Sequence, residues 1–302
     1  MPVSITKQAW GGWPNCYRAT NGTIELIVTA DVGPRIMRLA FLSGPNVFKE
    51  VPAQMGGAGE PDFQVRGGHR AWVAPERFPR TYYPDNDPVE IRITDNAIEA
   101  TAPIERGNGI RKQLVVKMAP EGTGVSVTQR IQNTLPWDIE LSHWALTMMA
   151  PGGVGFSGFP PRGTHSEVLL PTNPLVMWAF TDLSDPRWRF TNKYMILGQD
   201  PARPEPTKLG HFNSKTWGGY LLKDQLFIKR YTADVTKRYP DFGCSFETFA
   251  NGETLELETL GPLTTIQPDE WTEHEERWSL HSDVHAGEFS DAELDRVLLP
   301  LL

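Results

Sequence analysis

Short segments that alternate polar and apolar residues, punctuated by turn-forming residues, recur along this chain. A period of two puts successive side chains on opposite faces. It suits a half-buried strand and defeats a helix, whose apolar stripe needs a period near 3.6. The clearest case is Thr254-Leu255-Glu256-Leu257-Glu258-Thr259-Leu260. Asn251-Gly252 opens it, and both residues tolerate the positive φ of a type I′ hairpin turn. Leu255 and Leu257 then share one face, and Glu256, Glu258 and Leu260 the other. Carboxylates beside a leucine read in two ways: as a solvated face, or with Glu258 aimed into a cleft as a general base.

The same grammar continues upstream. Asn21-Gly22 separates Cys16–Ala19 from Ile24–Val28, and Asp95-Asn96 separates Val89–Thr94 from Ala97–Ala102. Pro120–Thr123 separates Ile110–Met118 from Gly124–Gln132, and Lys223–Gln225 separates Gly218–Leu222 from Leu226–Tyr231. Each pair reads as an antiparallel hairpin. Arg35–Phe41 is mixed in phase, as expected of a strand covered on both faces. In Asp138–Ala145, His143 falls in phase with Ile139, Leu141 and Ala145, where a histidine is more often a hydrogen-bonded core group than a catalyst. Val176–Phe180 reads as a short buried strand. A strand near Glu270–Leu280 is expected to pair, across Gly261-Pro262, with the segment ending at Leu260. Only Ser290-Asp291-Ala292-Glu293 opens a confident helix: it forms a capping box, Phe289 can staple onto Leu294, and Pro300 stops it. With 27 Gly and 26 Pro in 302 residues, frequent turns favour an all-β architecture. No linker, internal repeat or low-complexity tract divides it, so residues 1–302 read as one domain.

Pro52–Asp87 breaks the pattern. It is rich in Gly, Pro, Arg and aromatic residues and lacks periodicity, which reads as a structured loop that binds something or merely packs. The net charge of −8 argues against nucleic acid or an anionic membrane surface as partner. Cys16 and Cys244 are the only cysteines, which fits a reduced, cytoplasmic setting better than a disulfide scaffold. No basic-then-apolar leader and no long apolar run is visible. The phosphate-binding patterns G-x-x-x-x-G-K-[ST] and G-x-G-x-x-G before a helix are missing, as is the esterase elbow G-x-S-x-G. His281 and His285 lie four apart in a stretch without helical pattern, so no metal is expected there.

Several segments together resemble the galactose mutarotase-like superfamily and, across nearly the whole chain, a group of bacterial proteins of unassigned function within it. They are Gly11–Asn15, Asp31–Arg35, Gly67–Trp72, Tyr82–Asn86 and Glu258–Leu263. Leu257-Glu258-Thr259 is similar to the Leu-Glu-Thr-Gln context of the catalytic Glu of aldose 1-epimerases, with Leu260 in place of the Gln. Asn133 through His143-Trp144 looks like the segment carrying their catalytic His. Gly67-Gly68-His69 reverses their His-Gly-Gly order.

The resemblance implies a supersandwich of large antiparallel sheets with a sugar cleft on a concave face. It implies that Glu258 takes the proton of an anomeric hydroxyl while His143 protonates the ring oxygen. It further implies a monosaccharide-sized sugar as partner, with no cofactor and no metal. His69, Arg70, Arg66, Trp72, Trp13 and Tyr83 are the expected sugar contacts. Asp182, or Asp185, is the expected sugar-holding acid by location. Sugar binding without turnover, and lyase or hydrolase action on a polysaccharide, are the alternatives carried forward.

Overall fold

The computed structural model describes residues 2–302. Among these, two antiparallel sheets of eleven and ten strands account for nearly all regular structure. The first runs, in spatial order, Ser4–Trp10, Trp13–Thr20, Ile24–Thr29, Arg35–Phe41, His69–Ala74, Ile139–Met149, Leu255–Leu260, Phe246–Ala250, Thr207–His211 and Leu175–Met177. Thr264–Ile266 adds to the start of Ile139–Met149. The second runs Trp188–Phe190, Tyr194–Gly198, Val154–Gly158, Trp217–Leu222, Gln225–Arg230, Trp271–His281, Val125–Asn133, Ile110–Met118, Ala97–Thr101 and Glu90–Thr94. The all-β expectation holds. The hairpins expected from turn signals form, because each two- to six-residue break brings flanking alternations into register.

Three expectations are corrected. Trp271–His281 does not pair with Leu255–Leu260; it crosses to the second sheet, between Gln225–Arg230 and Val125–Asn133. There its alternate residues His274, Glu276, Trp278 and Leu280 are all buried. The apolar run Val176–Phe180 is not a buried strand. Leu175–Met177 is an edge strand, with Leu175 43% and Met177 56% exposed, and composition alone does not separate an edge from a centre. Pro52–Asp87 is not wholly loop. His69–Ala74 inserts beside Ile139–Met149 in mid-sheet, after two glycines with φ of +96° and +71° turn the chain into it.

The sheets face each other across one apolar core. Leu209, Phe246, Leu255 and Leu257 of the first sheet meet Tyr220, Phe227, Trp278 and Leu280 of the second. Phe48, Phe227 and Trp278 contact one another edge-on, with centroids 5.5–5.7 Å apart. This core also encloses charge. Lys229 and Glu276 pair at 2.7 Å with both side chains fully buried. The Lys229 ammonium donates to the carbonyls of Ala145 and Leu257 and to the Thr147 hydroxyl at 3.0–3.1 Å. The Trp278 indole donates to Glu276 at 2.9 Å. The C-terminal helix Asp291–Leu298, capped by Ser290, covers the outer face of the second sheet. Phe289 and Leu294 join that outer cluster, as the staple pattern predicts.

Candidate functional site

Because side chains alternate, residues whose neighbours point into the core must point out. Leu255 and Leu257 enter the core, so Glu256, Glu258 and Leu260 lie on the outer face of the first sheet. Strand register then decides their company. Glu258 lies opposite Leu146 on one side and Glu247 on the other, and Glu256 lies opposite Met148 and Phe249. One strand further, Lys208 lies opposite Phe249. Two carboxylates side by side in a ladder repel, and here one ammonium answers both. Lys208 Nζ is 2.7 Å from Glu258 Oε2 and 2.7 Å from Glu247 Oε2. The Trp144 indole donates to the same Glu258 Oε2 at 2.7 Å. Glu258 Oε1 has no partner among the described residues. Lys208 sits over the faces of Trp144 and Trp178, at 4.7 and 4.6 Å.

An aromatic patch adjoins this group. Trp72 contacts Trp144, Tyr82 and Phe63 with centroids 5.1, 5.5 and 5.6 Å apart. Arg70 lies over Trp72 and Phe63 at 4.5 and 4.9 Å. Phe63 and Tyr82 come from the aromatic loops on either side of His69–Ala74, and two buried arginines hold those loops. Arg35 forks onto Asp85 at 2.9 Å through two bonds and donates to the carbonyls of Gln64, Val65 and Gly67. Arg66 donates to the Gln54 carbonyl and to Asn86.

The electrostatics follow from burial and an excess of acid. Burial, with Glu258 adding to it, pushes the Glu256 carboxyl up to about 8. Burial pushes Glu247 well above the carboxylate range; Lys208 opposes this, and Glu258 reinforces it. Asp241 is raised by burial too. Burial works against the Lys208 charge, but Glu247 and Glu258 outweigh it and hold the ammonium above the usual lysine range. Burial and the nearby Arg35 lower Arg70 to about 9. The face therefore places a raised carboxyl at Glu256 beside Glu258, whose Oε1 is unpartnered.

The structure brings together only some of the expected residues. Glu258, Arg70 and Trp72 share the outer face. His143 does not: it shares its face with Ala145 and Thr147 and stacks on His274 at 6.1 Å between the sheets. The pairing of Glu258 with His143 is thereby corrected, since residues of opposite parity in adjacent paired strands cannot share a face. His69 also points inward, with Nδ1 2.8 Å from the Thr147 hydroxyl and its ring edge-on to Trp278. Arg66 and Trp13 are buried in the loop support, where the Trp13 indole donates to the Gly57 carbonyl at 2.7 Å. Tyr83 borders a 40 Å³ hollow that Trp72, Asp85 and Lys112 also line. Asp182 is exposed and bonds Ser184, and Asp185 forks onto Arg187. Lys208 and Glu247 went unread because nothing local marks them.

No family model matches the sequence, and no curated protein does. Solved structures do match. A galactose mutarotase-like protein from Lactobacillus casei is 10% identical, with TM-score 0.56, over 92% of this chain and 100% of that one. Another from Clostridium acetobutylicum is 9% identical, with TM-score 0.55, over 93% and 99%. A galactose mutarotase related enzyme from Lactobacillus acidophilus is 7% identical, with TM-score 0.55, over 89% and 98%. The fold is galactose mutarotase-like. Among the described residues, no helix is long and apolar enough to cross a membrane.

Proposed function

We propose that the outer face of the first sheet takes a monosaccharide and interconverts its anomers, with Glu258 as base and Glu256 as acid. The observation that carries this reading is the division between two carboxyls of one strand face. Glu258 has one oxygen held by Lys208 and Trp144 and the other unpartnered. Glu256, two residues back on the same face, keeps its proton up to about 8. Neighbouring groups with environments this different can serve as base and acid at one pH. Glu258 would take the proton of the anomeric hydroxyl as Glu256 delivers one to the ring oxygen. The bond from the anomeric carbon to the ring oxygen breaks, a carbonyl forms, rotation exposes its other face, and the reverse steps close the ring. Trp72 and Tyr82, both half-buried, offer flat surfaces to the C–H face of the sugar.

Polarimetry on freshly dissolved α-glucose, α-galactose and related aldoses tests this. Glu258→Gln should abolish enzyme-dependent rotation, Glu256→Gln should reduce it sharply, and His143→Gln should leave it. Rotation at the buffer rate with every sugar would count against catalysis. A second reading, binding without turnover, is favoured by one observation: Glu258 is 0% exposed. Calorimetric binding that survives Glu258→Gln, with no turnover by the unsubstituted protein, would select it.

A further inference from the structure

On the opposite side of the molecule, the outer face of the second sheet carries a cleft of about 860 Å³ beside the end of the C-terminal helix. Such a volume suits a small organic ligand. Trp217 and Arg230 are paired across adjacent strands and face outward together, since their neighbours Phe227 and Lys229 point into the core. Gly158 forms the floor: a Cβ there would lie 3.0 Å from Lys215 Cγ and 3.2 Å from Trp217 Nε1. Phe159 forms an apolar wall, with Arg162 over its ring at 5.4 Å.

Charge makes the cleft unusual. The chain carries a net −8, yet Arg162, Lys193, Lys215 and Arg230 converge here against a single side-chain carboxylate, Asp295, with Leu302 at the rim. Asp295 is taken, for it pairs with Lys193 and accepts from the Tyr194 hydroxyl. Across the ladder from Arg230 lies Arg277, whose partner is Glu275. Among the described residues, that leaves Arg162, Lys215 and Arg230 without an acidic partner. Trp217 is 4% exposed, and its indole N–H bonds to no described residue. Uncompensated cations in a concave apolar-walled site focus a positive potential, and a guanidinium matches phosphate oxygens through paired bonds.

We propose that this cleft binds a small phosphate monoester with a ring or apolar portion. The dianionic phosphate lies among Arg230, Lys215 and Arg162, and the organic portion lies against Phe159 and Trp217. The site is independent of the sugar reading of the other face.

The test is calorimetry on the full chain at low ionic strength with phenyl phosphate, inorganic phosphate, phthalate and neutral phenyl glucoside. Phenyl phosphate should bind saturably and more tightly than inorganic phosphate, and the glucoside should not bind. Arg230→Gln should weaken binding at least ~10-fold, as loss of a charge-assisted pair implies. Lys215→Gln, at an exposed position, should weaken it several-fold, and added salt should weaken it further. Glu258→Gln should leave it unchanged. No saturable binding of phenyl phosphate, binding that Lys215→Gln and Arg230→Gln leave intact, or tighter binding of phthalate would each overturn the proposal.

Discussion

Replacing Lys229 by Met isolates the energetics of the charge enclosed between the sheets. The two side chains are similar in length and volume, so little cavity opens. The variant loses one ammonium that pairs with Glu276 at 2.7 Å and donates to three further oxygens at 3.0–3.1 Å. Glu276 keeps the Trp278 indole and the Thr259 hydroxyl as donors but loses its countercharge. Removing one partner of a buried pair costs about 3–5 kcal/mol, because the other charge is left uncompensated. For a domain of this size that lowers Tm by roughly 5–8 °C. The double variant Lys229→Met/Glu276→Gln removes both charges and should recover about 2 kcal/mol of the loss. In the intact protein burial opposes ionisation of Glu276, but the Lys229 ammonium holds its carboxyl below the usual range. In the single variant that support is weakened and burial raises the carboxyl, so it takes a proton as pH falls. The deficit relative to the unsubstituted protein should therefore narrow between pH 8 and pH 5. Urea denaturation at several pH values measures all of this. A cost below about 1 kcal/mol, or a deficit independent of pH, would refute the reasoning.

Further outcomes follow from the same structure. Burial lowers His69 to about 3 and His274 to about 4, and holds His143 well below its ordinary value. Unfolded histidines bind protons from about pH 6.5 downward while these do not. Their contribution is thus complete above that pH and lost as pH falls toward 4. Glu256, raised to about 8, acts oppositely, losing its contribution as pH rises from about 4.5 to 8. Denaturation from pH 4 to 8 should show His274→Gln flattening the acid limb and Glu256→Gln the other. Gly67→Ala would put a Cβ 2.1 Å from the Lys49 carbonyl oxygen at φ +96°. It should cost at least about 1–3 kcal/mol by chemical denaturation. Arg35→Lys cannot reproduce the fork onto Asp85. It should speed limited proteolysis between residues 56 and 66 and raise the KM, or the Kd, for any sugar bound at the aromatic patch more than it lowers the fold's Tm.

The alternation in Leu255–Leu260 and in Ile139–Ala145 already carried the parity of Glu258 and of His143. A strand's two faces are set by local geometry, so apolar neighbours reveal which way each side chain points. The turn dipeptides carried the hairpins, and Ser290 to Glu293 carried the helix, for the same local reason. What neighbours distant strands acquire is decided elsewhere. Lys208 and Glu247 reach Glu258 from 50 and 11 residues away, and Trp271–His281 leaves the segment it follows for the other sheet. Register between remote strands depends on how both sheets fill their common interior at once, and that summed packing leaves no mark within any one segment.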